Sequence, residues 1–292
     1  MKNLSLVILI IFFFQACERP RGQKINLSVN GWIGYSPLFY LMEKGWLKPL
    51  NIKLHTVVSL RENVHTYLSK KTDAFTATQY EYHLVKKQQH SLIPIITFDR
   101  SNGGDVIMSN VTLKEIQKST QTIDAYLEID TINYALLLDF LKVHKIPKSR
   151  INFIDINQVD ITSRFKPNVN RPALIVTYIP HNIELAKKGL KTIADTREGL
   201  DLLVVDALYL TKELFDAEKE RFQELKKLID KALVNLDKDP KEYFEKVAPY
   251  LDGISYDDFI NSLKDIKWLN KALSPELQIR LKDSNFPTKH LL

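Results

Sequence analysis

The sequence predicts an α/β protein of two lobes, each a mostly parallel sheet flanked by helices, with a cleft between them. Three observations predict it. Short apolar runs alternate with helix-like segments twice over, across residues 25–98 and again across 106–210. The run "LIPIITF" (92–98) is almost continuously apolar, as in a strand covered on both faces. Gly31, Gly34 and Pro37 punctuate the loop after the first run, and open α/β sheets form their crevices in such loops.

The elements follow in order. Residues 25–29, "INLSV", alternate apolar and polar and read as a strand. Ser36 and Pro37 open a helix that closes at Gly45, since proline suits the first helical position and glycine the position past the last. Residues 52–59 form a second strand, 62–69 a helix, 73–78 a strand, 80–89 a helix and 92–98 a strand. The second set begins with a strand at 106–108 and a short helix at 113–118. A strand at 121–127, an amphipathic helix at 132–144 and a strand at 151–154 come next. "PALIVTY" (172–178) is an apolar strand, 181–188 a helix, and "LLVVDALYL" (202–210) another apolar run. From residue 215 onward the pattern is helical, clearest in "RFQELKKLIDKALVNL" (221–236).

The N-terminus reads as an export signal. Lys2 precedes an apolar run over residues 4–14, followed by Gln15, Ala16 and Cys17. Eleven residues are too few to span a bilayer, which takes about 20. Cys17 is the only cysteine, and its place after a small residue marks it for lipidation. The expected organisation is a signal peptide at 1–16 and a lipidated start with a tether at 17–24. Lobe one covers 25–104 and 206–292, and lobe two covers 105–205. The chain is then exported, membrane-anchored through lipid, and faces the periplasm or the cell exterior. A lone thiol leaves no intramolecular disulfide, so the fold rests on its core.

The net charge of +6 does not point to nucleic acid. Lysine and arginine are interleaved with acids on helical faces, as in "KELFDAEKERFQELKKLIDK" (212–231), where a nucleic-acid binder needs a basic stripe. The seven histidines show no metal-ligand spacing. Neither a nucleophile elbow nor a phosphate-cradling glycine loop is present. No cofactor, metal or catalytic residue is expected, and the chain is read as a non-enzyme acting as a monomer.

Three blocks carry a family resemblance. "NGWIGYSPLFYLMEKGWL" (30–47) holds a tryptophan and a Gly-Tyr-x-Pro segment ahead of a helix ending in Glu-Lys-Gly. "TFDRSNGGDVIM" (97–108) holds Asp-x-Ser-x-Gly at a crossing between lobes. "VTYIPHNIELAKKGLKTIADTREGLDLLVVDALYL" (176–210) holds an aromatic-x-Pro turn and a returning strand. Their order resembles the nitrate/sulfonate/thiamine-pyrimidine branch of periplasmic substrate-binding proteins (NMT1/THI5-like, SsuA/TauA-like), in a lipoprotein form. The resemblance implies a type II periplasmic-binding-protein fold that closes by a hinge around a small polar ligand. It implies delivery to an ABC-type uptake permease. A sensing lipoprotein that docks on a membrane receptor is the alternative. A pyrimidine-synthase-like enzyme would need a cysteine-rich iron motif, which one cysteine cannot supply.

The candidate ligand-binding residues follow strands or open the crossings. They are Asn30, Trp32, Gly34 and Tyr35 after the first strand, and Thr78 after the third. Asp99, Ser101 and Asp105 lie around the crossing, and Thr131, Tyr178 and Asp206 belong to the second set. Trp32 and Tyr35 are either an aromatic wall for a flat or cationic ligand or core under the helix. Gly34 would let backbone approach the ligand. Thr131 stands at a helix start that suits an anion, or merely caps it. Asp99 and Asp105 either shape a turn or meet a ligand amine or hydroxyl. Tyr178 should face Trp32 across the cleft. Asp206 is an acid in an otherwise apolar strand, bound by a ligand or by the hinge. The acids favour a cationic group and the helix ends an anionic one.

Overall fold

The computed structural model describes residues 22–166, 171–271 and 273–292. Cys17 and the expected signal segment lie outside them. The chain runs β1 (Ile25–Val29), α1 (Ser36–Glu43), β2 (Ile52–Thr56), α2 (Leu60–Leu68), β3 (Ala74–Thr78), α3 (Gln79–Lys86) and β4 (Leu92–Ser101). It crosses to a second sheet with β5 (Asp105–Ser109), α4 (Leu113–Lys118), β6 (Ile123–Leu127), α5 (Ile132–Val143) and β7 (Ile151–Asp155). α6 (Gln158–Arg164), β8 (Ala173–Tyr178), α7 (His181–Lys187) and β9 (Lys191–Asp195) complete that set. The return strand β10 (Val205–Thr211) leads into α8 (Lys212–Ala217), α9 (Lys219–Lys238), α10 (Pro240–Val247) and α11 (Tyr256–Ser262). Then come β11 (Ile266–Trp268) and α12 (Pro275–Asp283).

The strands form two sheets, β11-β4-β10-β3-β1-β2 and β7-β6-β8-β5-β9. In the first, β1 to β4 run one way and β10 and β11 the other. In the second, β6 to β9 run one way and β5 the other. The reversal has a simple cause. β5 and β10 are the strands that begin directly after a crossing. They enter their sheet from the cleft end and must run away from it, whereas their neighbours end there.

Burial explains why the apolar runs take these places. All of β3 and β5 is buried, as is β4 apart from Arg100 and β10 apart from Thr211. α1 packs its aromatic face on the later helices, with Tyr40 stacked on Tyr243 at 4.5 Å and Phe39 stacked on Tyr250 at 4.8 Å. The amphipathic α9 buries Phe222, Leu225, Ile229 and Leu233. Each such side chain contributes about 1.5–3 kcal/mol on removal from water.

Three elements escape the periodicity. α6 is short, started by the Asn157 side chain accepting from Asp160 N, and buries only Gln158 and Ile161. β9, "KTIAD", is largely solvent-facing. β11 is three residues in a stretch read as helix, held by pairing with the end of β4. Gly22 and Gln23, expected in the tether, carry hydrogen bonds to the fold. The buried Arg221 guanidinium donates to Gln23 O at 2.9 Å and to Leu50 O at 2.7 Å, and Asn51 Nδ2 donates to Gly22 O at 3.1 Å. A buried arginine needs such acceptors, so the chain is bound to the fold from Gly22.

Candidate functional site

The carboxyl ends of the strands of both sheets meet at one small cavity. Asn30 follows β1, Thr78 ends β3, Tyr178 ends β8, and Asp105 and Asp206 open β5 and β10. Trp32, Leu60 and Ile132 complete the wall. Register places these residues together. Asp206 sits opposite Thr78 on one side and Asp99 on the other, and Asp105 sits opposite Tyr178. The cavity volume is about 10 Å³, the room of roughly one water.

The lobes touch across it. Trp32 and Tyr178 meet edge to face with centroids 6.0 Å apart, as expected from the sequence. Asn30 Nδ2 donates to the Tyr178 hydroxyl at 3.4 Å. A second layer supports the wall from below. Trp32 Nε1 donates to both Asp99 oxygens at 3.3 Å, and the Tyr35 hydroxyl donates to Asp206. Gly34 lies against Asp99 so closely that a Cβ there would be 2.5 Å from Asp99 Cγ. Tyr35 and Asp99 are fully buried, so they and Gly34 position the wall and do not line it.

Two expected site residues stand elsewhere. The Ser101 hydroxyl bonds Thr196 Oγ1 at 2.7 Å and accepts from Asp105 N at 3.0 Å. It belongs to the crossing, beside Gly103, whose φ of +116° suits glycine alone. There Gly103 N donates to Thr196 Oγ1 at 2.8 Å and Arg197 Nε donates to Asn102 O at 3.1 Å, joining the outward and return crossings. Thr131 caps α5, accepting from Asn133 N and donating to Glu128 O at 2.8 Å. Thr78 does line the cavity, but its hydroxyl caps α3 in a box with Glu81.

Sequence reasoning missed Glu81 and Glu128. Glu81 Oε2 accepts from Thr78 N at 3.0 Å, and its Oε1 accepts from Ile132 N at 2.6 Å. One carboxylate therefore caps α3 and also occupies the start of α5, which was expected to receive an anion. The signal for it was the "TQYE" capping box after β3. Glu128 follows β6 and accepts from Arg61 N at 3.4 Å, close to the Arg61–Asp155 ion pair.

Burial dominates the electrostatics. It pushes Asp99 and Asp206 far above the usual carboxylate range, with mutual repulsion among the acids adding to the rise. It holds Asp105 up at about 7 and Glu128 at about 6. His181, behind Tyr178, is pushed down to about 4 by the same desolvation, so near neutral pH it carries no charge. Asn30 Oδ1 and Asp105 Oδ2 are buried and have no hydrogen-bond partner. Among the described residues, no three histidine, cysteine or acidic side chains are grouped to hold a metal ion. No described helix is long and apolar enough to cross a membrane.

No protein-family model matches the sequence, and no curated protein matches it. The architecture nevertheless defines a class of fold: the chain has the periplasmic-binding-protein fold. One similar structure is the periplasmic aliphatic sulphonate binding protein SsuA from Escherichia coli. Its TM-score is 0.71 at 10% identity, over 90% of this chain and 85% of that one. Another is the ligand binding component of an ABC-type import system from Staphylococcus aureus with zinc bound. Its TM-score is 0.70 at 15% identity, over 90% and 91% of the two chains. The periplasmic nitrate-binding protein NrtA from Synechocystis matches with a TM-score of 0.62 at 13% identity, over 83% and 70%.

Proposed function

We propose that this chain is an extracytoplasmic solute-binding protein, which captures a small polar molecule between its lobes and delivers it to an ABC-type uptake permease. One observation carries the reading. The interlobe cavity is walled from both lobes by aromatic and polar groups, and two of its acceptors, Asn30 Oδ1 and Asp105 Oδ2, are buried without a partner. An unsatisfied buried acceptor costs about 1–3 kcal/mol, which a bound solute recovers. The fold supplies the means of enclosing it, by rotation of the lobes about two crossings. The protein binds and releases, and transforms nothing.

Mass spectrometry of small molecules released from gently purified protein identifies the solute. Trp32→Ala and Tyr178→Ala should each weaken its binding about tenfold or more, because each removes one side of the aromatic contact. Unchanged affinity in both variants would remove the cleft from consideration. In the same reading Cys17 carries the lipid that keeps the protein at the membrane. Cys17→Ser should move the chain from the membrane fraction to the soluble fraction, and continued membrane association would refute the anchor.

A further inference from the structure

We infer that the solute taken by this cavity is a small organic cation, a protonated amine or a guanidinium, whose N–H groups bond the carboxylates of Asp105 and Asp206. This rests on the solute-binding reading and narrows it.

The argument begins with donors and acceptors. Most side-chain donors named at the cavity are already used inside the protein; the exception is the Tyr178 hydroxyl, which accepts from Asn30 and keeps its own proton to give. Trp32 Nε1 donates to Asp99, the Tyr35 hydroxyl to Asp206, the Thr78 hydroxyl to Glu81 and the Asn30 amide to Tyr178. The other groups left over are acceptors. Asp105 Oδ2 and Asn30 Oδ1, in residues 4% and 1% exposed, line the cavity with nothing to accept from. A surplus of buried acceptors calls for a ligand that donates.

Charge points the same way. Asp105 and Asp206 face the cavity and Asp99 lies directly beneath it, while no lysine, arginine or histidine among the described residues lines it. Arg61, next to the lining residue Leu60, pairs through Nη2 with Asp155 and lines a separate pocket, although its buried Nε has no partner. An anion placed here would find no side-chain cation and would oppose the ionisation of the surrounding carboxyls. The start of α5, which could have received it, is filled by Glu81, whose Oε1 accepts from Ile132 N. Bare buried carboxyls keep their protons, and an arriving ammonium gives them reason to ionise. The faces of Trp32 and Tyr178 suit a cation as well. An ammonium group is close to water in size, so it fits the closed cavity, and the rest of the molecule enters as the lobes part.

The test uses the full chain with named probes. Ethanolammonium, guanidinium and choline represent cations, nitrate and ethanesulfonate anions, and zinc chloride a metal. Calorimetry and thermal shift should show binding by at least one cationic probe and none by the anions. Asp105→Asn should weaken that binding at least tenfold, with circular dichroism confirming that the variant folds. Should it fail to fold, Asp206→Asn takes its place with the same expectation. Binding of nitrate, ethanesulfonate or zinc in place of the cations overturns the inference and leaves solute binding standing. So does a neutral or anionic molecule released from the native protein. Affinity unchanged in the variant also overturns it. If no probe binds and no small molecule is released, the solute-binding reading fails, and this inference with it.

Discussion

Asp105→Asn should make the ligand-free protein more stable at pH 8 and leave it nearly unchanged at pH 4. The ordinary value for this carboxyl is 3.8, and burial between the lobes raises it to about 7. The Ser101 hydroxyl pulls it down and the Glu81 carboxylate pushes it further up, but desolvation is the largest cause. The folded protein therefore holds this proton after the unfolded chain has released it. Stability from this group is complete below about pH 4 and is lost as pH rises through about 7. Each pH unit in that window is worth about 1.4 kcal/mol, so the loss is about 4 kcal/mol at most. Asparagine cannot ionise, so the variant keeps that stability. Urea unfolding at pH 4, 6 and 8 reads the difference directly. Parallel curves for the two proteins would mean that Asp105 is solvated in the folded state.

Gly34→Ala should destabilise the fold by about 1–3 kcal/mol and impair the cleft at the same time. A Cβ at this position overlaps Asp99 Oδ2 and Trp32 Nε1, the two atoms that hold the floor and wall together. Asp99 is fully buried near the end of β4, held between β10 and β11, and cannot retreat, so Trp32 must move and lose its contact with Tyr178. Denaturant unfolding measures the first effect and quenching of tryptophan fluorescence by solute the second. Stability within about 0.5 kcal/mol of the parent would show that the floor yields. Gly189 makes a useful contrast. A Cβ there meets nothing within 4 Å, so only its φ of +88° opposes substitution.

The fold was legible because each lobe repeats a local pattern. Strand-length apolar runs such as 92–98 and 172–178 announce themselves, and the strand ends then locate the cleft. Tyr178 opposite Trp32 followed from that logic alone. Asp206 stood out because an acid interrupts an apolar run. Other residues were not legible for physical reasons. Ser101 and Thr131 belong to types that serve ligands, caps and turns equally well, and only the direction of the hydroxyl separates these uses. The capping role of Glu81 is local and readable, but its second bond joins residues 51 positions apart in sequence. β9 and β11 are too short and too exposed for periodicity to register, and each is made a strand by the neighbour it pairs with.

The joined crossings also decide how the molecule moves. Two independent connections would let the lobes twist and slide as well as open. Here Thr196 takes hydrogen bonds from the outward segment at Gly103 and shares one with Ser101, and Arg197 holds the carbonyl of Asn102. The two segments then act mechanically as one pivot. In the proposed opening, the lobes would swing about this single axis, and the carboxyls of Asp105 and Asp206, each just past its crossing, would travel least.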